Sequence, residues 1–153
     1  MFFSVLDEDS ATLVGKYEGQ VQTDADYERC LDAFQRADTC AVAKGSPYVC
    51  LLIVPPGVQR PPAVWRTRMA NANNAVRATD HLFAIVLPDA LLRSVLTAIT
   101  WLTRPRPGHQ LKAFDTVAGA AQWIRTTTGK PHAELDRLLA AVERQTAGHA
   151  ASA

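Results

Sequence analysis

The sequence holds almost none of the short patterns that carry catalysis. Its four histidines, His81, His109, His132 and His149, form neither a His-x-x-x-His nor a Glu-x-x-His pair, so no helix offers metal ligands on one face. It contains no Gly-x-Ser-x-Gly elbow, Walker loop or Gly-x-Gly-x-x-Gly fingerprint. Thr128-Gly-Lys130 resembles the end of a phosphate loop but has neither the upstream glycine nor the preceding strand. These absences predict a protein with no catalytic residues, no metal and no cofactor. Cysteine is scarce and odd in number: Cys30, Cys40 and Cys50 fit no zinc or redox spacing, and two of them fall on apolar patterns. Buried reduced thiols and a cytoplasmic location are the expectation. Long apolar runs are also missing. The stretch 82–102 is interrupted by Pro88, Asp89 and Arg93, and the first residues lack the basic flank of a signal peptide.

A chain of 153 residues with 48% hydrophobic and 20% charged residues has the size and make-up of one soluble globular domain. Its net charge of +1 gives no reason to expect general nucleic-acid binding. The charge is segregated, however. Residues 1–54 hold four Lys/Arg against nine Asp/Glu, while residues 55–112 hold eight against two. Such asymmetry predicts either an acidic and a basic face, a homodimer in which the two regions pair between chains, or only solvated surfaces.

Strand and helix periodicities alternate along the chain. Residues 2–6 and 12–17 read as a hairpin around the Asp-Glu-Asp-Ser turn at 7–10. Thr23, with Asp26 three residues on, marks a helix start, and Tyr27, Cys30, Leu31 and Phe34 form its apolar face. Residues 48–54 are a continuous apolar run between prolines, which predicts a central strand covered on both sides. A helix is expected from Pro61 or Pro62 to about Ala78, with a seam of Trp65, Met69, Ala72 and Val76. A second apolar strand follows at 81–87, then an apolar helix at 89–102, a loop at 104–108 and a short strand at 111–114. Thr116 caps a helix on which Trp123 should seal one layer, 127–130 reads as a linker, and a last helix covers 133–145. The fold class is therefore α/β: a mostly parallel sheet with an N-terminal antiparallel hairpin, alternating helices and an extra C-terminal helix. The boundaries are a domain at 1–127, a helix at 131–147 packed on it or extending from it, and a frayed tail at 148–153.

This order, through about Thr126, resembles the STAS domain, and more narrowly the STAS/SEC14-type proteins related to anti-sigma-factor antagonists. The segments that carry the likeness are Tyr17-Glu-Gly-Gln with Thr23-Asp-Ala-Asp-Tyr27, the strand 49–54 before the Pro-rich loop, and the stretch 81–87. Ala98-Ile-Thr-Trp-Leu102 with Pro105-Arg-Pro107, Lys112-Ala-Phe114 and Ala120-Ala-Gln-Trp-Ile124 complete it. The resemblance implies a regulatory or scaffolding role through binding a protein partner. In the antagonist branch a phosphorylatable Ser or Thr sits where the central strand enters the next helix. The matching stretch here, Val54-Pro-Pro-Gly-Val-Gln-Arg60, has no hydroxyl, and the nearest is Thr67 inside the helix.

The candidate binding residues are Arg60, Arg66, Trp101, Arg104 and Arg106. Several lie near loops that follow strands, where open α/β sheets bind their ligands, and guanidinium groups there suit an acidic partner or a phosphate. Trp101 stands beside the apolar stripe of helix 89–102, which is either core or a greasy edge for another subunit, a lipid or a membrane surface. The alternative function is a carrier or sensor of a small apolar or phosphorylated ligand.

Overall fold

The computed structural model describes residues 1–88, 106–129 and 133–150. Five strands, β1 (Phe2–Asp7), β2 (Thr12–Tyr17), β3 (Tyr48–Ile53), β4 (His81–Val86) and β5 (His109–Phe114), form one sheet in the order of the chain. The β1–β2 pair is antiparallel, and every later pair is parallel. Helices α1 (Asp24–Lys44) and α2 (Ala63–Asn74) cover one face, and α3 (Val117–Thr128) and α4 (Ala133–Ala150) cover the other. The expected α/β class and N-terminal hairpin are present. The expected helix at 89–102 lies outside the described residues.

Because alternate strand residues point to opposite faces, the two cores divide each strand by parity. Tyr48, Cys50 and Leu52 of β3 face α1 and α2, while Val49, Leu51 and Ile53 face α3 and α4. All six residues of β3 are buried, as expected for a central strand covered on both sides. Close approach of α1 depends on its small inward residues, Cys30, Ala33, Ala37 and Ala41.

The start of α1 is a complete capping box. The Thr23 hydroxyl accepts from the Asp26 amide at 3.3 Å, and the Asp26 carboxylate accepts from the Thr23 amide at 2.8 Å. Asp26 also accepts from the amide of Phe2 at 2.9 Å and pairs with Arg29, so one buried carboxylate joins the first strand to the first helix. Burial pushes its pKa up, but the Thr23 backbone and hydroxyl, then Arg29, outweigh burial and hold it well below the usual carboxylate range. At the other end Gly45 takes the left-handed conformation (φ 60°), and the Ser46 amide closes the turn on the Ala41 carbonyl at 3.1 Å.

Three boundaries differ from expectation. Helix α2 ends at Asn74, not near Ala78. The amides of Arg77 and Ala78, which would continue the helix, donate instead to the Asp38 carboxylate at 3.0 and 2.9 Å. Helix α3 runs through Thr127 and Thr128, where a linker was expected. Their hydroxyls donate to the carbonyls of Trp123 and Ile124, four residues back, at 2.8 and 2.9 Å. Helix α4 continues past Gly148 to Ala150. It lies across β1 and β2 through Leu135, Leu138 and Val142.

The charges that the sequence segregates meet within the chain. Arg68 grips Glu28 with two hydrogen bonds at 2.7 and 2.9 Å, Arg77 pairs with Asp38, Lys16 with Glu143, and Arg137 with Asp7. Three carboxylates of the acidic first third, Asp7, Glu28 and Asp38, are thus paired with arginines of α4, α2 and the loop before β4.

Candidate functional site

The expected binding residues do not form one cluster. Arg60 and Arg66 lie where β3 leads into α2, at the carboxyl ends of the parallel strands. Arg106 precedes β5, at the opposite end. Trp101 and Arg104 lie outside the described residues. Arg66 and Arg106 both serve the backbone: Arg66 donates to the Pro61 carbonyl at 2.7 Å, and Arg106 to the Val76 carbonyl at 2.6 Å. Arg60 is exposed and makes no hydrogen bond or ion pair among the described residues.

Around Arg60 the chain builds a well-fastened rim. The Pro-rich loop is anchored by Val58, which is buried in the core under α1. The Gln59 amide donates to the Gln20 carbonyl at 2.7 Å, stitching the loop to the segment before α1. Trp65 makes the second stitch, its indole N–H donating to Asp24 at 2.7 Å while its ring stacks on Tyr27 at 5.1 Å. The Arg68 guanidinium lies over that ring, 4.1 Å from its centre. Two valines on these segments point to solvent: Val21 is 63% exposed and Val64 is 61% exposed. The N-terminus of α2, with Pro62 as its cap residue, has no side-chain capping bond. The result is an edge that offers apolar side chains, a guanidinium with no partner among the described residues, and a helix start without a side-chain cap.

The opposite end of the sheet is different. Tyr48, His81 and His109 stand in register across β3, β4 and β5, all on the α1/α2 face. Tyr48 and His81 stack with ring centres 4.5 Å apart, and the His109 ring meets His81 edge-on at 5.5 Å. His81 is only 3% exposed and its Nε2 has no hydrogen-bond partner. Burial, helped by nearby His109, pushes its pKa down to about 4, so the ring is neutral at pH 7. The loop between α2 and β4 is clamped beside this row. Asp38 takes two of its amides, and Arg106 and the His109 ring donate to the carbonyls of Val76 and Ala78. Gly108 fits this corner because a side chain there would collide with the Thr79 carbonyl and Asp80 at 2.6 Å.

Two hollows lie beside the sheet. A cleft of about 710 Å³ opens at the amino ends of the parallel strands, with Asp9, Ser46, Asp80 and Glu134 beside Val49 and Leu82 on its walls. An apolar cavity of about 70 Å³ lies between α1, α2 and the sheet. No cluster of three or more His, Cys, Asp or Glu side chains suited to a metal occurs among the described residues. No described helix is long and apolar enough to cross a membrane.

The sequence reading passed over Asp38 and His81. Asp38 had a signal, since it follows Cys30 and Phe34 at intervals of four and so falls on the buried face of α1. The His81 row had none, because strand register alone brings its three rings together.

The described elements define an α/β domain with a five-stranded mixed sheet and helices on both faces. No protein-family model matches the chain, and neither does any curated protein or solved structure.

Proposed function

We propose that the protein is a non-catalytic regulatory or scaffolding module of the cytoplasm that binds a protein partner through the rim at the carboxyl ends of its strands. The observation that carries this reading is the combination of Val21 and Val64, both strongly exposed, with Arg60, which has no partner among the described residues, on segments joined by hydrogen bonds. A rim already held in shape loses little conformational freedom on binding, which favours affinity. Its chemistry suits a partner with an apolar patch bordered by carboxylates. The element order adds the STAS-like resemblance, in which the same region meets partners. A second copy of the chain is one such partner, and Arg60 would then face an acidic group of the other copy.

Wild type and the double variant Arg60→Glu/Val64→Glu, both immobilised, provide the test. Both positions are exposed, so the fold should survive, as circular dichroism would verify. The expected result is a protein retained by the wild type and lost from the variant, with sedimentation reporting whether that protein is a second copy. Equal retention by both would refute the rim as the binding surface.

A further inference from the structure

The row of rings at the amino ends of the parallel strands stands inside a clamp. The segment 75–80, between α2 and β4, is held mainly by its backbone. Its Arg77 and Ala78 amides donate to Asp38, its Val76 and Ala78 carbonyls accept from Arg106 and the His109 ring, and its Asp80 carbonyl accepts from the Tyr48 amide at 2.9 Å. It buries only two side chains, Val76 and Ala78. Segments that rest on few buried apolar groups open at lower free energy than the core of a domain. His81, the first residue of β4, follows directly, and its amide closes the corner on the Gly108 carbonyl at 2.9 Å. When this corner swings out, the His81 ring reaches water while the rest of β4 stays paired.

We propose that this corner is an acid-triggered latch: a proton on His81 frees the segment 75–80 from the end of the sheet while the rest of the domain stays folded. Closed, the corner has no place for the added charge. The ring is buried, its Nε2 has no hydrogen-bond partner, and Tyr48 stacks on it with ring centres 4.5 Å apart. Among the described residues, the ionisable groups around it are His109 of β5, Arg106 before β5, Asp38 of α1 and Tyr48 of β3. Arg77 and Asp80 lie on the segment itself, and α2 brings only uncharged side chains, Asn73 among them. Cys30 of α1 is pushed up to about 12 by burial and stays neutral. Burial first, then His109, and also Arg106 oppose a charge on the ring, and Asp38 alone favours it. Asp38 already accepts from the Arg77 and Ala78 amides, so turning it to the imidazolium drops the segment. Open, the ring takes the proton at the ordinary imidazole value. The latch lies at the opposite end of the strands from the rim, so either proposal can fail without the other. Asp80 also lines the cleft at this end, and release of the segment moves that wall.

Native-state amide exchange of the full chain reads the opening directly. The His81 ring titrates at about 4 when closed and 6.5 when open. The opening constant at the Tyr48 and Ala78 amides, corrected for intrinsic exchange, should therefore rise about 30-fold from pH 7.5 to pH 5. At pH 5 these amides should open more often than that of Leu51, in the buried centre of β3, and with a smaller dependence on urea. In His81→Phe the rise should vanish. Tyr48 and Ala78 amides that exchange only together with Leu51, at the same opening constant and urea slope, would overturn the proposal. So would an opening constant that does not change between the two pH values, or an equal rise in a folded His81→Phe. If His81→Phe does not fold, the wild-type exchange at pH 7.5 and pH 5 decides the matter alone.

Discussion

Acidification should destabilise this protein well before its carboxylates titrate, and His81 is the reason. The ordinary imidazole value of 6.5 applies in the unfolded chain, while the folded value is about 4. The unfolded state therefore binds the proton first, and stability falls as pH drops through 6.5, levelling off near 4. Stability from this source is complete above pH 7. Between pH 7.5 and 5 the loss from His81 alone should be about 2 kcal/mol, rising to about 3 kcal/mol at pH 4. Urea unfolding at pH 7.5, 6, 5 and 4 measures it directly. The comparison is His81→Phe, which keeps an aromatic ring to stack on Tyr48 and removes both the titration and the unpartnered nitrogen. That variant should match or exceed wild-type stability at pH 7.5, because an unsatisfied polar atom is replaced by carbon of similar shape. It should also be nearly flat between pH 7.5 and 5.5. Parallel curves for the two proteins over that range would refute the reasoning, since the proton would then be taken up elsewhere.

Two further substitutions test the account of the fold. Asp38→Ala leaves the amides of Arg77 and Ala78 without their acceptor and should cost about 2–3 kcal/mol in thermal or urea unfolding; a cost below about 0.5 kcal/mol would mean that water replaces the carboxylate freely. Trp123 is half-buried, packed on Phe114 with ring centres 5.5 Å apart, so Trp123→Ala should cost about 2 kcal/mol, below the range for a fully buried tryptophan. Unchanged melting with lost partner binding would instead place Trp123 at an interface.

Much of the architecture was legible because it rests on periodicity. The run 48–54 and the spacing of Tyr27, Cys30, Leu31 and Phe34 each follow from burial on one or two faces, and burial is written residue by residue. The helix ends were harder to read where side chains from distant segments compete for backbone groups. Nothing near Asn74 announces that Asp38, on another helix, will take the next amides. The candidate site was less legible for the same reason. Arg66 and Arg106 follow strands or precede them in ways that suit a ligand, yet each is spent on a nearby carbonyl. Arg60 shares the setting of Arg66 but makes no such bond among the described residues, a difference that only the fold reveals. Exposure of Val21 and Val64 likewise depends on which segments the Gln59 and Trp65 hydrogen bonds draw together.

The seating of α4 has a consequence for how the protein is made. The five strands lie in the order in which they are synthesised, each beside its predecessor. The helix that covers β1 and β2 on one face, however, follows all of them in the chain. While the ribosome is still extending the chain, Phe3, Val5 and Val14 therefore face solvent, and they remain so until Leu135, Leu138 and Val142 have emerged. Nascent sheets with bare apolar faces are the species that chaperones hold and that aggregates recruit. A released chain that ends just before residue 133 should accordingly bind chaperones that hold exposed apolar faces, and the full chain should not.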